Sequence, residues 1–200
     1  MSHLVILGFV FLNLFMVLGA IDLFYYHIWK FKLHKRPESR YEHKLHMAFA
    51  FLMVPVAMLL YYQNLGGIAL WAAVFFVAAA LSTELLDVFS EGDSRASLGG
   101  LSSGEYALHV AVTILKVASF AFMFAAKPSI AWGLSSPMNL GSYGFMGEVI
   151  ALQVAIGSGL VGCLHIALLR PSLSPSQCPP AACSQGSCCT PIERKVTAKA

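Results

Sequence analysis

Five stretches of the chain are each long and apolar enough to cross a lipid bilayer as a helix, which takes about 20 residues. They run approximately over residues 4–29, 43–62, 67–89, 105–126 and 145–169. Only 12% of the 200 residues are charged, whereas soluble domains carry about 25%. The sequence therefore predicts an all-α, polytopic membrane bundle of five transmembrane helices that fills residues 1–170, lies in a plasma or inner membrane and is surrounded by lipid bilayer.

Basic residues are strongly biased toward one side of this bundle. Eleven of the 13 lysines and arginines fall between helices 1 and 2, at the start of helix 2, between helices 3 and 4, or after helix 5. Because basic residues are retained on the cytoplasmic side, the bias predicts an outside N-terminus and a cytoplasmic C-terminus. The predicted orientation in the membrane accounts for the basic residues and so for the net charge of +3. No nucleic-acid partner is therefore expected.

The pattern S-x-x-E-x-x-L-H occurs twice, at 39–46 and at 102–109, and each copy opens a helix that is predicted to enter from the cytoplasmic side. Within each copy the glutamate and the histidine stand four residues apart, which places them on one face of a helix. Helices 1 and 2 and helices 3 and 4 are therefore predicted to form two helical hairpins related by a weak internal repeat, with a fifth helix added.

Acidic and histidine residues are concentrated at the predicted cytoplasmic end of the bundle. Eight of the ten acidic residues and six of the seven histidines lie there, although an ionised side chain inside a membrane costs about 2.5–3.5 kcal/mol even on a lenient scale. A shared metal ion would account for this clustering. The predicted metal ligands are Asp22, Glu42, His46, Glu84, Asp87, Glu105 and His109.

A set of carboxylates and imidazoles without thiolates suits iron, manganese or zinc better than copper(I). The layout resembles that of the ferritin-type di-metal carboxylate bundles, in which two helices each give one carboxylate and two others each give a glutamate and a histidine. Those soluble bundles space the pair three residues apart, whereas this chain spaces it four apart. The resemblance implies two metal ions, with iron as the first choice and manganese or zinc as substitutes.

Several residues at this end also fit simpler roles. Glu42 and Glu105 complete capping boxes with Ser39 and Ser102, in which each side chain satisfies a free backbone N–H at the helix start. Lys116, in the middle of helix 4, either pairs with a carboxylate or extends toward the interface. The other residues that fit an interfacial or packing role are His27, His34, His43, Cys163 and His165.

Residues 171–200 are rich in proline and serine and lack apolar runs, which predicts a disordered cytoplasmic tail. The tail contains Cys178, Cys183, Cys188 and Cys189. Their spacing matches no zinc-finger pattern, and stable disulfides are not expected in the cytoplasm. A tail that binds soft metals or takes part in redox chemistry and a dispensable tail both remain open.

The leading functional hypothesis is a non-haem di-iron oxidoreductase at the cytoplasmic membrane face. Its partners would be a lipid or other apolar small-molecule substrate and a redox partner. The first alternative is a protein of metal-ion transport or metal homeostasis that uses the cysteine-rich tail, although the outer half of the bundle offers few polar groups for a transport path. The second is a haem-binding or structural membrane subunit, with His46 and His109 as haem ligands.

Overall fold

A computed structural model of the chain describes residues 2–169. Its long helices are α1 (His3–Ile21, continued by a π-helical segment, Asp22–Lys30), α2 (Arg40–Val56, continued by a π-helical segment, Ala57–Tyr62), α3 (Gly67–Ser94), α4 (Ser103–Ala125) and α5 (Phe145–Leu169). All five are long and apolar enough to cross a membrane. The prediction of five helices that are long and apolar enough to cross a membrane is therefore confirmed. The predicted tail and its four cysteines lie outside the described residues.

Short helical turns and two short strands connect the long helices. Single 3₁₀ turns cover Leu33–Lys35, Pro37–Ser39, Ala96–Leu98 and Ser129–Trp132, and the strands are β1 (Gln63–Leu65) and β2 (Asn139–Ser142). Helix α3 continues to Ser94, past the predicted end at residue 89. The apolar run stops at residue 89, but the polar residues beyond it find partners on other helices, as Glu91 does with His109.

The apolar core fills one half of the bundle. It includes Phe9 and Leu12 of α1, Tyr61 beyond α2, Met123 of α4 and Val154 of α5. Large apolar side chains also remain exposed along the helices, as expected for a surface that faces lipid. The end of the bundle away from this core, formed by the ends of the first helix, α3 and α5 and the starts of α2 and α4, is called the charged end below.

The helices do not pair as the predicted hairpins. The closest backbone packing joins α1 to α4, and α2 to both α3 and α5. Small residues allow these approaches: a Cβ at Gly8 would lie 2.7 Å from Sδ of Met123, and one at Gly162 would lie 2.8 Å from Cζ of Phe51. The two members of each predicted hairpin follow each other in the chain, but their main packing partners are other helices.

The end of the bundle opposite the charged end is closed by paired loops. Strands β1 and β2 run antiparallel, so the short connection between α2 and α3 pairs with the loop before α5, and the all-α description needs this small sheet added. The ammonium of Lys127 is buried and donates to Oδ1 of Asn64 and to the backbone carbonyl of Leu65, both at 3.0 Å. Burial lowers the pKa of Lys127 to about 8.

Gly67, where α3 begins, has a φ of +58°, and a Cβ there would lie 2.5 Å from the backbone oxygen of Ser136. We expect Gly67→Ala to cost about 1–2 kcal/mol for the left-handed conformation and about 1–3 kcal/mol more for the backbone clash. Gly99→Ala is the matched control, because Gly99 also has a positive φ, +83°, but faces open space. Denaturant unfolding in detergent measures both losses, and equal losses would contradict the described packing of the loop against α3.

Candidate functional site

Ionisable side chains from all five helices meet at the charged end. The apolar helices bring them together because each carries its polar residues in its last or first turns at this end. The residues that contact one another here are called the acid–histidine cluster. Its members are Asp22, His27, Glu42, His46, Asp87, Glu91, Arg95, Glu105 and His109.

Arg95 is the centre of one half of this cluster. Its side chain is fully buried, with Nη1 2.7 Å from Oε2 of Glu42 and Nη2 2.6 Å from Oε1 of Glu105. Burial alone would lower the pKa of Arg95, but the hydrogen bonds and charges of the two glutamates outweigh burial and raise it. The guanidinium therefore stays charged and ties α2 and α4 to the loop that follows α3.

The arginine also explains why the predicted capping boxes fail. The hydroxyl of Ser39 caps no helix, and Glu42 instead accepts hydrogen bonds from Ser94 and Arg95. Ser102 does cap α4, accepting from the backbone N–H of Glu105 at 3.4 Å. In both copies, however, the glutamate side chain is drawn to the buried guanidinium, because a charge-assisted hydrogen bond is stronger than one to a neutral N–H.

His27 lies at the middle of the other half of the cluster, and the π-helical segment puts it there. Hydrogen bonds between residues five apart make a wider turn, so Asp22 and His27 fall on the same face with Nε2 3.5 Å from Oδ2. The imidazole is only 1% exposed, and its Nε2 has no hydrogen-bond partner. Oε1 of Glu42 is the next acid oxygen, 3.8 Å away.

Two groups of candidate metal ligands overlap at His27. One consists of Asp22, His27 and His109, and the other of His27, Glu42 and His46; within each group the candidate ligand atoms lie within 4.8 Å of one another. Imidazole nitrogens together with carboxylate oxygens are ligands that iron, manganese and zinc accept. A buried imidazole nitrogen without a partner fits such an ion, because burying a polar atom unpaired is costly.

Carboxylates on neighbouring helices orient the other two imidazoles. Nε2 of His46 lies 2.7 Å from Oδ2 of Asp87, while Nδ1 of His109 lies 2.8 Å from Glu91 and its Nε2 lies 3.2 Å from Asp22. Ligand histidines in metalloproteins are commonly held in this way by a carboxylate on the second ring nitrogen. Glu91 thus fixes His109 so that its other nitrogen faces Asp22.

A cavity of about 200 Å³ extends from the cluster toward the middle of the bundle. Phe15, Met16 and Phe49 form part of its apolar wall. Farther from the charged end, the buried ammonium of Lys116 pairs with Glu84, so of the two roles expected for Lys116 the structure shows pairing with a carboxylate. The cavity therefore has a polar wall at the charged end and a mainly apolar wall deeper in the bundle.

The seven predicted ligands occupy different parts of this site. Asp22, His46, Asp87 and His109 line the cavity together, and Glu84 lines it in contact with Lys116. Arg95 holds both Glu42 and Glu105, which do not line the cavity. That the seven bind a metal ion stays a prediction.

Sequence reasoning left three members of the cluster out of the ligand set: His27, Glu91 and Arg95. It assigned His27 to the interface and counted Arg95 only as a topology signal. Glu91 carried a usable signal, since it shares a helical face with Asp87 four residues earlier. Next to the cluster, the rings of His43 and His165 meet with their Nδ1 atoms 3.0 Å apart.

Comparisons with protein-family models, with curated proteins and with solved structures find no match to this chain.

Proposed function

We propose that this chain is an integral membrane metalloprotein of the plasma or inner membrane, with its charged end toward the cytoplasm. In this proposal the acid–histidine cluster holds two metal ions, iron or in its place manganese or zinc. The protein is an oxidoreductase that acts on a lipid or other apolar substrate and exchanges electrons with a redox partner. The observation that carries the proposal is the buried, unpartnered Nε2 of His27, a residue shared by both groups of acidic and imidazole ligands.

The charge of the acid–histidine cluster, counted together with the neighbouring Glu84 and Lys116, supports a need for cations. Six carboxylates with side chains at most 19% exposed lie here: Asp22, Glu42, Glu84, Asp87, Glu91 and Glu105. Arg95 and Lys116 are the basic side chains buried among them, so with all eight groups ionised four negative charges remain. Uncompensated charge inside a membrane bundle is expensive. Two divalent ions would supply all four missing positive charges. Protons on the histidines, as the alternative, would supply part of them.

The predicted ligands contribute unequally to this proposal. His27 joins the set, with Asp22 and His109 on one side and Glu42 and His46 on the other. Arg95 competes for Glu42 and Glu105, which makes these two the weakest members. Glu84 and Asp87 line the cavity; Glu84 is already paired with Lys116, whereas Oδ1 of Asp87 has no partner and is available to a second ion.

Bound iron or manganese would supply redox chemistry that side chains lack. The protein's own residues would position the reactants. The Asp87–His46 and Glu91–His109 contacts hold the imidazoles in place, and Phe15 and Phe49 offer an apolar substrate a surface beside the cluster. Apolar walls around the cluster also limit access of water.

Removing the imidazole of His27 tests the proposal directly. The wild-type protein, purified in detergent, should retain stoichiometric iron, manganese or zinc by elemental analysis. We expect His27→Ala to lower metal affinity by at least about 10–100-fold, the loss caused by removing even an outer-shell partner of a metal ligand. His34→Ala is the control, because His34 lies in a connecting turn away from both ligand groups. A metal-free wild type, or equal metal content in the His27 and His34 variants, would contradict metal binding at this centre.

A structural membrane subunit is the second candidate, and the ion pairs favour it. Arg95 already neutralises two glutamates and Lys116 pairs with a third, so part of the cluster holds helices together without any ion. In that case the wild-type protein would fold and remain stable without metal. Elemental analysis and thermal unfolding before and after chelator treatment therefore separate the two candidates.

A further inference from the structure

Helices α3 and α4 follow each other in the chain and meet through side chains rather than through closely packed backbones. Among residues 2–169, they lack the close backbone packing that joins α1 to α4 and α2 to α3. A helix pair that is held apart in a membrane leaves a seam that lipid can reach. The seam is of interest because the cavity lies along it.

Polar side chains bridge this seam at two levels. Nδ1 of His109 lies 2.8 Å from Oε1 of Glu91 at the charged end. Farther into the bundle, Glu84 accepts a hydrogen bond from Thr113 at 2.7 Å and pairs with Lys116. All five residues line the cavity. They form a wall of side-chain contacts, which can separate more readily than packed backbones can.

Val88 lies where the cavity wall formed by these side chains reaches the surface of the bundle. It lies on the face of α3 that carries Glu84 and Glu91, because residues three and four apart share a helical face. Val88 lines the cavity and is nevertheless 55% exposed. The cavity therefore reaches the lipid-facing surface of the bundle between the two polar contacts.

The size and charge of the cavity restrict its occupant. Its volume of about 200 Å³ is below the roughly 300–1,000 Å³ that pockets need to bury a drug-sized ligand, so only part of a larger molecule fits. The apolar wall of Phe15, Met16 and Phe49 suits a narrow hydrocarbon chain. In the metal-free protein, the excess of carboxylates over cations at the other wall disfavours an anionic head group.

We propose that the seam between α3 and α4 is a lateral portal through which a neutral single-chain lipid passes from the bilayer into the cavity. The apolar chain lies against Phe15 and Phe49, and a hydroxyl or similar neutral end lies toward the acid–histidine cluster. The Glu91–His109 and Glu84–Thr113–Lys116 contacts form the two sides of the portal. The proposal names the substrate class of the centre described above, and in that sense it rests on the proposed function.

Photolabelling tests the portal without requiring metal or catalysis. The full-length protein in nanodiscs is exposed to a long-chain fatty alcohol that carries a diazirine on its chain, and labelled residues are identified by mass spectrometry. We expect labels at Met16 and Phe49, inside the cavity. Val88→Trp should remove them by filling the mouth, whereas Leu85→Trp should not, because Leu85 is 58% exposed on the same helix but does not line the cavity.

Parallel thermal unfolding checks that both tryptophan variants are folded. Labels at Met16 and Phe49 that persist in Val88→Trp, or that disappear equally in both variants, would overturn the portal. Equal labelling of the chelated protein by the corresponding fatty acid would overturn the preference for a neutral head group. The experiment is run on the protein as isolated and after chelation. Loss of the metal proposal alone would leave the labelling intact, so the two failures are distinguishable.

Discussion

Arg95→Met should destabilise the folded bundle by about 3–5 kcal/mol, the usual cost of leaving the partner of a buried ion pair uncompensated. Arg95 is fully buried, and the side chains of Glu42 and Glu105 are 2% and 0% exposed. Both carboxylates would lose a charge-assisted partner at once, and neither can turn to solvent. Thermal or denaturant unfolding in detergent is the measurement.

A rescue variant separates charge from packing in this prediction. Arg95→Met combined with Glu42→Gln and Glu105→Gln leaves no charge at these three positions, so most of the lost stability should return. Arg36→Met is the control, because Arg36 lies at the same end of the bundle in a pair with Glu38 whose side chains are 32% and 34% exposed, and it should lose far less stability than Arg95→Met. If the triple variant is no more stable than Arg95→Met, packing of the arginine matters more than its charge.

Lys116→Met should cost a comparable amount, about 3–5 kcal/mol, by removing the ammonium that balances Glu84 deep in the bundle. The ammonium is 2% exposed and lies 4.4 Å from the ring centre of Phe49. Methionine fills a similar volume, so packing changes little and the loss reports mainly the unpaired carboxylate. Unfolding in the same detergent allows direct comparison with the Arg95 variant.

The matched variant in this case is Lys116→Met with Glu84→Gln. A neutral glutamine can still accept the hydrogen bond from Thr113, so we expect the double variant to recover most of the stability. A double variant as unstable as Lys116→Met would show that the ammonium stabilises the bundle through Phe15 and Phe49 and not through Glu84.

The five helices were predictable because bilayer thickness demands long apolar runs, and those runs are visible without knowledge of packing. Helix neighbours were not predictable in the same way. Chain order favoured hairpins, but small residues such as Gly8 and Gly162 decide which helices approach closely. The strand pairing of Gln63–Leu65 with Asn139–Ser142 involves segments too short and too irregular to show an alternating pattern.

The gathering of acids and histidines at one end was also predictable, since charged residues in apolar helices avoid the middle of a membrane. Their pairing was not. Arg95 looks like one more basic residue in a polar loop, and only the fold shows it between Glu42 and Glu105. His27 stands five residues from Asp22, a spacing that ordinary helical periodicity assigns to different faces.

Because of the π-helical segment, the acid–histidine cluster depends on the number of residues between Asp22 and His27 as well as on the identity of these two residues. A π-helical turn holds one residue more than an α-helical turn, so it is equivalent to a single-residue insertion in the helix. Loss of one residue between Asp22 and His27 could restore α-helical geometry and keep both side chains on one face, four apart. Gain of one more would separate them. In any homologue, the length of this interval is therefore as informative about the centre as the presence of the aspartate and the histidine.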